Sequence, residues 1–293
     1  MENRDPSRPN PYAAPVARVE DPNAAGGQGS FSPDGETVPA GNGLRWIADG
    51  FDIYRRYPLL WIGISLAFMF ISLVVQIIPL LGWLAGAVLG PVWLAGIMIG
   101  CDAVAESDEL RFSHLFAGFS ANAGRLMLFG LANLGMLLGI SIVVAALSFA
   151  LLGHGFSAGT VPSVSGVLFI VLVILALATP YMMAVWFGPA LIALSDQGIG
   201  DALRGSFLAC AKNWLPGLVY SLVLFVALIV VLLLIGALGG FAVFGLLRGG
   251  TPMRGMMAGM GLGLFMMLIF AGVLLPLFFA SVYASYRDIF YRP

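Results

Sequence analysis

Residues 44–78 read LRWIADGFDIYRRYPLLWIGISLAFMFISLVVQII, and this stretch joins the two kinds of element that decide the fold. Its first part places apolar residues at helical spacing, namely Leu44, Ile47, Phe51 and Tyr54, with Trp46 and Ile53 beside them. The pair Arg55 and Arg56 ends this part, and Pro58 interrupts the helix. Residues 59–78 carry no charge, and at 1.5 Å per residue they cross about 30 Å of hydrocarbon. The stretch predicts an interfacial amphipathic helix followed by a membrane span.

The composition extends this conclusion to the whole chain. Hydrophobic residues make up 60% of it, charged residues 10%, and the mean hydropathy is +0.96, which indicates an integral membrane protein. The formal net charge of −1 and the presence of a single lysine argue against a nucleic-acid partner. Cys101 and Cys210 are too few for a disulfide framework and are predicted to be reduced thiols.

The chain divides into a tail and a membrane domain. Residues 1–43 are rich in Pro, Gly and Ala and poor in aliphatic clusters, which predicts a disordered cytoplasmic tail. Residues 44–293 form an all-α membrane helix bundle with six predicted spans, at about 59–79, 81–103, 126–151, 165–194, 215–240 and 259–282. Pro180 and Pro189 are the predicted bend sites of the long fourth span.

The distribution of basic residues predicts the orientation of the bundle. The connections near residue 80 and over 152–164 contain no Lys or Arg, and their side of the membrane holds only Arg248 and Arg254. The basic residues predicted at the opposite interface include Arg55, Arg56, Arg125, Arg204, Lys212 and Arg287. By the positive-inside rule, both termini are predicted to be cytoplasmic, with the bundle in the inner membrane.

Two later connections share features with the opening stretch. Residues 110–125 carry an apolar stripe of Phe112, Leu115, Phe116 and Phe119, and residues 199–214 carry one of Ile199, Leu203, Phe207 and Cys210. Each unit would then consist of a cytoplasmic amphipathic helix, an aromatic residue (Phe51, Phe119 or Phe207), a basic residue and two spans. The pattern predicts three pseudo-repeated pairs of spans. The alternative is that any cytoplasmic loop before a span collects aromatic residues and arginines.

Several runs resemble known membrane proteins. Residues 187–207, FGPALIALSDQGIGDALRGSF, followed by Asn213 and Trp214, resemble the membrane domain associated with glycerophosphodiester phosphodiesterases. Residues 50–58, GFDIYRRYP, and 286–290, YRDIF, look more like an uncharacterised proteobacterial family of multi-pass inner-membrane proteins. In the phosphodiesterase proteins a separate soluble barrel carries the catalysis. Because this chain has no such barrel, the resemblance implies a membrane domain without hydrolase activity.

Polar residues within the predicted spans are few. No Asp, Glu, Lys, Arg or His falls in the middle of a span, which disfavours an ion-coupled pump. The candidate residues for a polar path are Gln76, Asn133, Thr179 and Tyr181, with Ser141 and Ser221. Their alternative role is hydrogen bonding between helices. Three glycine ladders, at Gly82, Gly86 and Gly90, at Gly135 and Gly139, and at Gly255, Gly259 and Gly263, predict close helix packing within the chain or between two copies.

No group of residues predicts catalysis, a cofactor or a metal. His114 and His154 have no Cys, Asp or second His at ligand spacing. The methionines 253, 256, 257 and 260 share one helical face and could bind Cu(I), or they could simply pack a glycine-rich helix. Glu106, Asp108 and Glu109 are predicted to favour the N-terminus of the helix that follows them.

The sequence thus predicts a non-enzymatic inner-membrane component without a cofactor. Its predicted partners are membrane lipids, with a membrane protein or a second copy of the chain as further partners. The alternative is a transporter or flippase-like carrier of an apolar or amphiphilic molecule. A carrier would need a polar-lined cavity that involves Gln76, Asn133 or Tyr181, whereas a scaffold would be close-packed there.

Overall fold

The computed structural model describes residues 30–157, 164–247 and 252–291, and the regular structure there is helical. The ten α-helices described are α1 (Asn42–Arg56), α2 (Pro58–Val75), α3 (Pro79–Ser107), α4 (Ala123–Ser157), α5 (Val164–Val185), α6 (Gly188–Leu194), α7 (Ile199–Lys212), α8 (Trp214–Leu247), α9 (Pro252–Ile269) and α10 (Leu275–Phe290). A 3-10 helix, Phe112–Phe119, lies between α3 and α4, and a short π-helix, Phe270–Leu274, joins α9 to α10.

Six segments of the described chain are long and apolar enough to cross a membrane. They are Pro58–Val75, Pro79–Ser107, Ala123–Leu151, Val164–Leu194, Trp214–Leu234 and Met253–Phe290. Each matches one predicted span, so the all-α fold class and the number of candidate spans are confirmed.

The ends and bends of these segments differ in part from the predicted ones. The fourth segment breaks between α5 and α6, with Pro189 in the first turn of α6, whereas Pro180 lies inside α5. The last segment continues eight residues beyond the predicted end, to Phe290, because the end of α10 is buried against other helices. The helix thus continues beyond the apolar stretch of the sequence, because packing against other helices holds its end.

One end of the bundle gathers the short helices. We call it the terminal face, because α1, the 3-10 helix, α7 and both described chain ends lie there; the other end is the far end. Within residues 110–125, predicted to hold an amphipathic helix, Phe112–Phe119 form a 3-10 helix that lays Leu115 and Gly118 against α3. Its other predicted stripe residues, Phe112, Phe116 and Phe119, are exposed.

The buried faces of α1 and α7 differ from their predicted apolar stripes. Helix α1 buries Gly43, Trp46, Gly50 and Ile53, whereas Leu44 and Phe51 are exposed. Helix α7 buries Ala202, Gly205, Ser206 and Ala209, and Phe207 points outward. The physical reason is that small residues let backbones approach, whereas large apolar side chains lose nothing by facing lipid.

The packed core lies on the side of the terminal face. Its largest fully buried side chains include Trp61, Phe129, Tyr283, Tyr286 and Phe290. The outer parts of α4, α5 and α8 bury few residues and leave their large apolar side chains exposed. An added Cβ atom at Gly90, Gly135, Gly139, Gly259 or Gly263 would meet nothing within 4 Å, so the prediction that these ladder glycines pack helices within the chain is wrong.

Part of the predicted disordered tail is ordered. Residues 31–38, which we call the strap, cross the terminal face: the Ser32 amide donates to the Phe290 carbonyl at 2.8 Å, and the Glu36 amide to the Ile289 carbonyl at 2.8 Å. Phe31 also forms an isolated bridge with Tyr291. The predicted boundary at residue 43 is thus corrected, because backbone hydrogen bonds hold a segment that has no apolar periodicity. Residues 1–29 lie outside the described residues.

Replacing Gly50 by Ala should destabilise the bundle. A Cβ atom at Gly50 would lie 2.6 Å from the backbone nitrogen of Ser281, so α1 and α10 would have to move apart. We expect a loss of about 1–3 kcal/mol, seen as a lower thermal midpoint of the purified protein in detergent. Gly63→Ala is the control, because a Cβ atom there meets nothing within 4 Å. Equal midpoints for the two variants would contradict the close approach of α1 and α10.

Candidate functional site

Asn213, between α7 and α8, holds the strap to the terminal face. Its Nδ2 donates to the Glu36 carbonyl at 2.7 Å and to the Ala209 carbonyl at 2.9 Å, and its Oδ1 accepts from the Val38 amide at 2.8 Å. The side chain is buried. Because both its donor and its acceptor groups are used within the chain, its role in the described structure is to position the strap. In the sequence, Asn213 stood out only as part of the run that resembles a known family.

Two predicted interfacial basic residues also bind the strap. Lys212 Nζ donates to the carbonyl oxygens of Asp34 at 3.1 Å and Gly35 at 2.9 Å. Arg204 pairs with the Asp34 carboxylate at 3.4 Å. These cations contact the chain's own N-terminal segment, which the sequence did not predict.

Arg125 clamps two turns of the terminal face together. Its Nη1 donates to the backbone oxygen of Asp196 at 3.0 Å and pairs with the Asp196 carboxylate at 2.6 Å. Asn122 Nδ2 donates to the same carboxylate at 2.9 Å and to the Ile192 carbonyl at 3.3 Å. Asn122 and Asp196 both have a positive φ, a conformation that short polar side chains tolerate best. The clamp thus joins the turn before α4 to the turn before α7.

The arginine pair of α1 has two different roles. Arg55 pairs at 2.7 Å with Asp52 of its own helix. Arg56 Nη1 donates to the Val104 carbonyl at 3.1 Å and pairs with Asp108 at 3.2 Å, so it holds α1 to the end of α3. Both side chains remain largely exposed, and such exposed pairs contribute about 0–1 kcal/mol each.

Arg287 lies in the most shielded charged cluster of the described residues. Its guanidinium pairs with Glu106 at 2.6 Å and lies 3.6 Å from Asp102, and Tyr283 Oη donates to Asp102 at 2.8 Å. Only 25% of the Arg287 side chain is exposed. The cluster joins α10 to the end of α3. Sequence reasoning missed it, although Asp102 and Glu106 stand four residues apart and so on one helical face.

Glu106, Asp108 and Glu109, at and after the end of α3, pair with arginines, whereas the sequence predicted that they favour the N-terminus of the next helix. Glu106 binds Arg287, Asp108 binds Arg56, and Glu109 pairs with Arg111 at 2.6 Å. None of the three caps the following 3-10 helix, whose N-terminal contacts come from Arg111 and His114. Each of these acids has an arginine within pairing distance, and a charge-assisted hydrogen bond to an arginine is stronger than the attraction to the end of a short 3-10 helix.

Among the described residues, the terminal face carries no excess of positive charge. Its described bases are Arg45, Arg55, Arg56, Arg111, Arg125, Arg204, Lys212 and Arg287. Its described acids are more numerous: Asp34, Glu36, Asp49, Asp52, Asp102, Glu106, Asp108, Glu109, Asp196, Asp201 and Asp288. An excess of arginine in these connections is thus compatible with a surface that has no net attraction for anions.

The four predicted polar-path residues do not form one site. Gln76 is exposed at the far end of α2, and Tyr181 is partly buried in α5. Thr179 Oγ1 donates to the Leu175 carbonyl of its own helix at 2.7 Å. Asn133 Oδ1, in α4, is buried and has no hydrogen-bond partner among the described residues. No hydrogen bond joins any two of these four side chains in the described structure.

Two cavities open between the helices near the terminal face. The larger, of about 350 Å³, lies between α5 and α8, and we call it the α5–α8 pocket. Its lining includes Trp46, Thr179, Met182, Trp186, Trp214, Gly217, Ser221, Ser285 and Ile289. The smaller, of about 200 Å³, is bounded by residues of α3, the α5–α6 segment and α10, and Trp186 borders both cavities. Neither cavity is lined by Gln76, Asn133 or Tyr181.

The predicted thiol and metal groups have ordinary surroundings in the described chain. Cys101 is buried and Cys210 partly buried, both free, and burial raises the pKa of the Cys210 thiol to about 12. Among the residues that the structure describes, no group of three His, Cys, Asp or Glu side chains could hold a metal ion. The methionines 253, 257 and 260 are exposed, whereas the side chains of Met256 and His154 lie outside the described residues.

Comparison with known proteins supports the membrane assignment. The chain is similar to a "probable inner membrane protein" of Burkholderia thailandensis, with 26% identity over 271 residues that cover 86% of this chain and 92% of the relative. No family model matches the chain. No solved structure matches it. Six apolar helices and this similarity identify a multi-pass membrane protein and support the inner membrane as its location.

The two asparagines Asn213 and Asn133 should respond in opposite ways to the same substitution. Asn213→Leu leaves the Val38 amide and the Glu36 carbonyl without the Asn213 hydrogen bonds, at a cost of about 1–3 kcal/mol. We expect a lower thermal midpoint and faster hydrogen exchange at Val38. Asn133→Leu removes an acceptor without a described partner, so the midpoint should stay equal or rise. Unchanged exchange at Val38 in Asn213→Leu would contradict the role assigned to Asn213.

Proposed function

We propose that this chain is a non-enzymatic inner-membrane component that acts through apolar contact with membrane lipids. The observation that carries the proposal is the row of exposed aromatic residues on the terminal-face helices: Phe51 is 49% exposed, Phe119 39% and Phe207 38%. Trp186 and Trp214, at the ends of α5 and α8, are also exposed. Aromatic residues at the ends of spans are typical of the boundary between headgroups and hydrocarbon.

Charge contributes less to this proposed contact than the arginine-rich sequence predicts. The proposed headgroup-facing bases already bind acids, backbone carbonyls or the strap, and the described terminal face carries more acids than bases. Strong attachment to anionic lipids needs an excess of basic residues. We therefore assign the contact to apolar side chains that enter the interface.

The finer architecture that goes with this proposal is a threefold repeat. Helix α1, the 3-10 helix and α7 each precede two long helices, and each carries one of the exposed residues Phe51, Phe119 and Phe207. What speaks against strict repetition is that the second unit begins with a 3-10 helix instead of an α-helix. We propose three related pairs of spans whose first elements have diverged. The likeness to the phosphodiesterase-associated membrane domain stays a prediction.

The absence of catalysis in this proposal rests on the sequence, which lacks a recognisable catalytic or cofactor motif. The carrier alternative required a polar-lined cavity at Gln76, Asn133 or Tyr181. Of the candidate polar-path residues, Thr179 and Ser221 line the larger of the two cavities, whereas Gln76, Asn133 and Tyr181 line neither. We therefore rank contact with lipid or with a partner protein above a carrier of an apolar or amphiphilic molecule.

Extraction into native lipid discs, followed by mass spectrometry, tests the proposed function. We expect lipids to be retained with the wild-type protein and a measurable loss on replacing Phe51, Phe119 and Phe207 together by Ser, since these side chains would enter the lipid interface. The matched control replaces Arg45, Arg55 and Arg204 by Gln, which should change retention little. Loss only in the arginine variant would contradict apolar contact, and a stoichiometric protein in place of lipid would support a protein scaffold.

The proposed orientation has a separate test. A fluorescent reporter fused after Pro293 should fold only if that end lies in the cytoplasm, and we expect it to fluoresce. Alkaline phosphatase inserted at residue 160, between α4 and α5, should be active because that connection is proposed to face the other side. Activity of the two reporters in the opposite pattern would invert the proposed topology.

A further inference from the structure

The α5–α8 pocket has a wall that faces outward and a wall that is buried. Its outer wall is formed by Met182 of α5, by Trp186 directly after α5, and by Trp214 and Leu218 of α8. All four side chains are exposed. Its back wall is formed by α10, where Ser285 is 3% and Ile289 1% exposed. A molecule that reaches the back wall must therefore enter between α5 and α8.

The opening of the pocket between α5 and α8, which we call the mouth, lies near one end of a candidate span. Trp214 is the first residue of α8, and Ser221 lies seven residues further along the same helix, so the lining on α8 extends roughly 10 Å from the terminal end of a candidate span. Trp186 and Trp214 flank this opening, as tryptophan does at the boundary between headgroups and hydrocarbon. The exposed part of the lining therefore lies near the terminal end of a candidate span, where we place the boundary between headgroups and acyl chains.

The lining excludes charged or strongly polar ligands. It contains no Asp, Glu, Lys, Arg or His. Several of its polar groups are already bound within the chain: Asn213 to the strap, Tyr220 Oη to Ser281 Oγ at 2.7 Å, and Ser285 Oγ to the Val282 carbonyl at 2.7 Å. A ligand with a charged group in this pocket would lose its hydration without compensation. An apolar chain loses nothing.

The size and flexibility of the pocket suit such a chain. Its volume of about 350 Å³ lies within the range of small-molecule sites. Met182 and Met183 line it with flexible side chains that adapt to an irregular occupant. An apolar cavity of this kind does not attract water, so hydrocarbon from the membrane is the natural filling.

We propose that the α5–α8 pocket is a specific site for one acyl chain of a membrane phospholipid. The chain enters between Trp186 and Trp214 and ends against Ser285 and Ile289 of α10, while the headgroup stays outside at the terminal face. This inference rests on the proposed contact with lipid and adds a defined site to it. Its failure would leave general lipid contact on the outer surface untouched.

A phospholipid with a photoreactive diazirine in one acyl chain tests the site. The protein is reconstituted into discs that contain this lipid and is irradiated, and the cross-linked peptides are identified by mass spectrometry. Cross-links on residues 281–290 report an occupied pocket, because this part of α10 is buried or half-buried behind the mouth. Cross-links on residues 222–234, where α8 carries many exposed apolar side chains, report general contact with lipid in the same sample.

Gly217→Leu and Gly236→Leu form a matched pair for this test. Both glycines lie in α8 and neither has an atom within 4 Å of an added Cβ, but only Gly217 lines the pocket. We expect Gly217→Leu to reduce cross-linking of residues 281–290 by about tenfold or more, and Gly236→Leu to leave it at the wild-type level. Ser221→Phe, which fills the mouth from an exposed position, provides a second block if Gly217→Leu does not fold.

Each result decides between the alternatives. Wild-type cross-links on residues 281–290 that both blocking variants reduce support the site. Absence of these cross-links in the wild type, or persistence in the folded blocking variants, overturns it. In the case that the site is overturned, residues 222–234 show what else fails. If they also lack cross-links, the proposed contact with lipid fails too. If they are cross-linked in every variant, general contact with lipid stands and only the specific site is lost.

Discussion

The close approach of helix backbones at small residues is the constraint on which the rest of this structure depends. At Gly50 the backbone of α1 lies so near Ser281 of α10 that no side chain fits between them. In a membrane the lipid chains are as apolar as leucine, so burial of a large apolar residue gives little drive to helix association, and dispersion between closely packed backbones must supply it. This explains why α1 and α7 bury small residues such as Gly50 and Gly205, whereas Leu44, Phe51 and Phe207 are exposed.

The same constraint explains why the bundle is dense at one end and open at the other. Near the terminal face, close contacts at glycines bring helix backbones together. Asn213 holds the strap there, Arg125 joins the turns before α4 and α7, and Arg287 joins α10 to the end of α3. Towards the far end, the ladder glycines Gly135, Gly139, Gly259 and Gly263 have no neighbour, and the apolar side chains of α4, α5 and α8 are exposed. Cavities at the boundary between these two regions, such as the α5–α8 pocket, follow from helices that converge only at one end.

Basic residues at the terminal face bear on two questions, the predicted orientation of the chain and its attraction to anionic lipid, which the sequence alone does not separate. The positive-inside rule counts Lys and Arg alone, so an arginine that is paired with an acid still contributes to the predicted orientation. Attraction to anionic lipid depends instead on the net charge, which requires knowledge of the partners of each arginine. Arg125 and Arg287 show the difference. Their positions in the sequence predicted them to be interfacial basic residues, and the structure pairs them with Asp196 and Glu106.

The amino-acid sequence alone predicts a helical membrane protein with six candidate spans and their positions, because hydrocarbon thickness demands long uncharged helices, and the described residues agree. It also predicted bends at Pro180 and Pro189, but the described chain breaks only next to Pro189, and Pro180 lies inside α5. Three features emerge only from the folded chain: which face of α1 and α7 is buried, the path of residues 31–38 across the terminal face, and which arginines bind which acids. These features depend on residues far apart in the chain, such as Val38 with Asn213 or Gly50 with Ser281. Local periodicity carries no information about such pairs, because a membrane helix can satisfy its apolar face equally well with lipid or with protein.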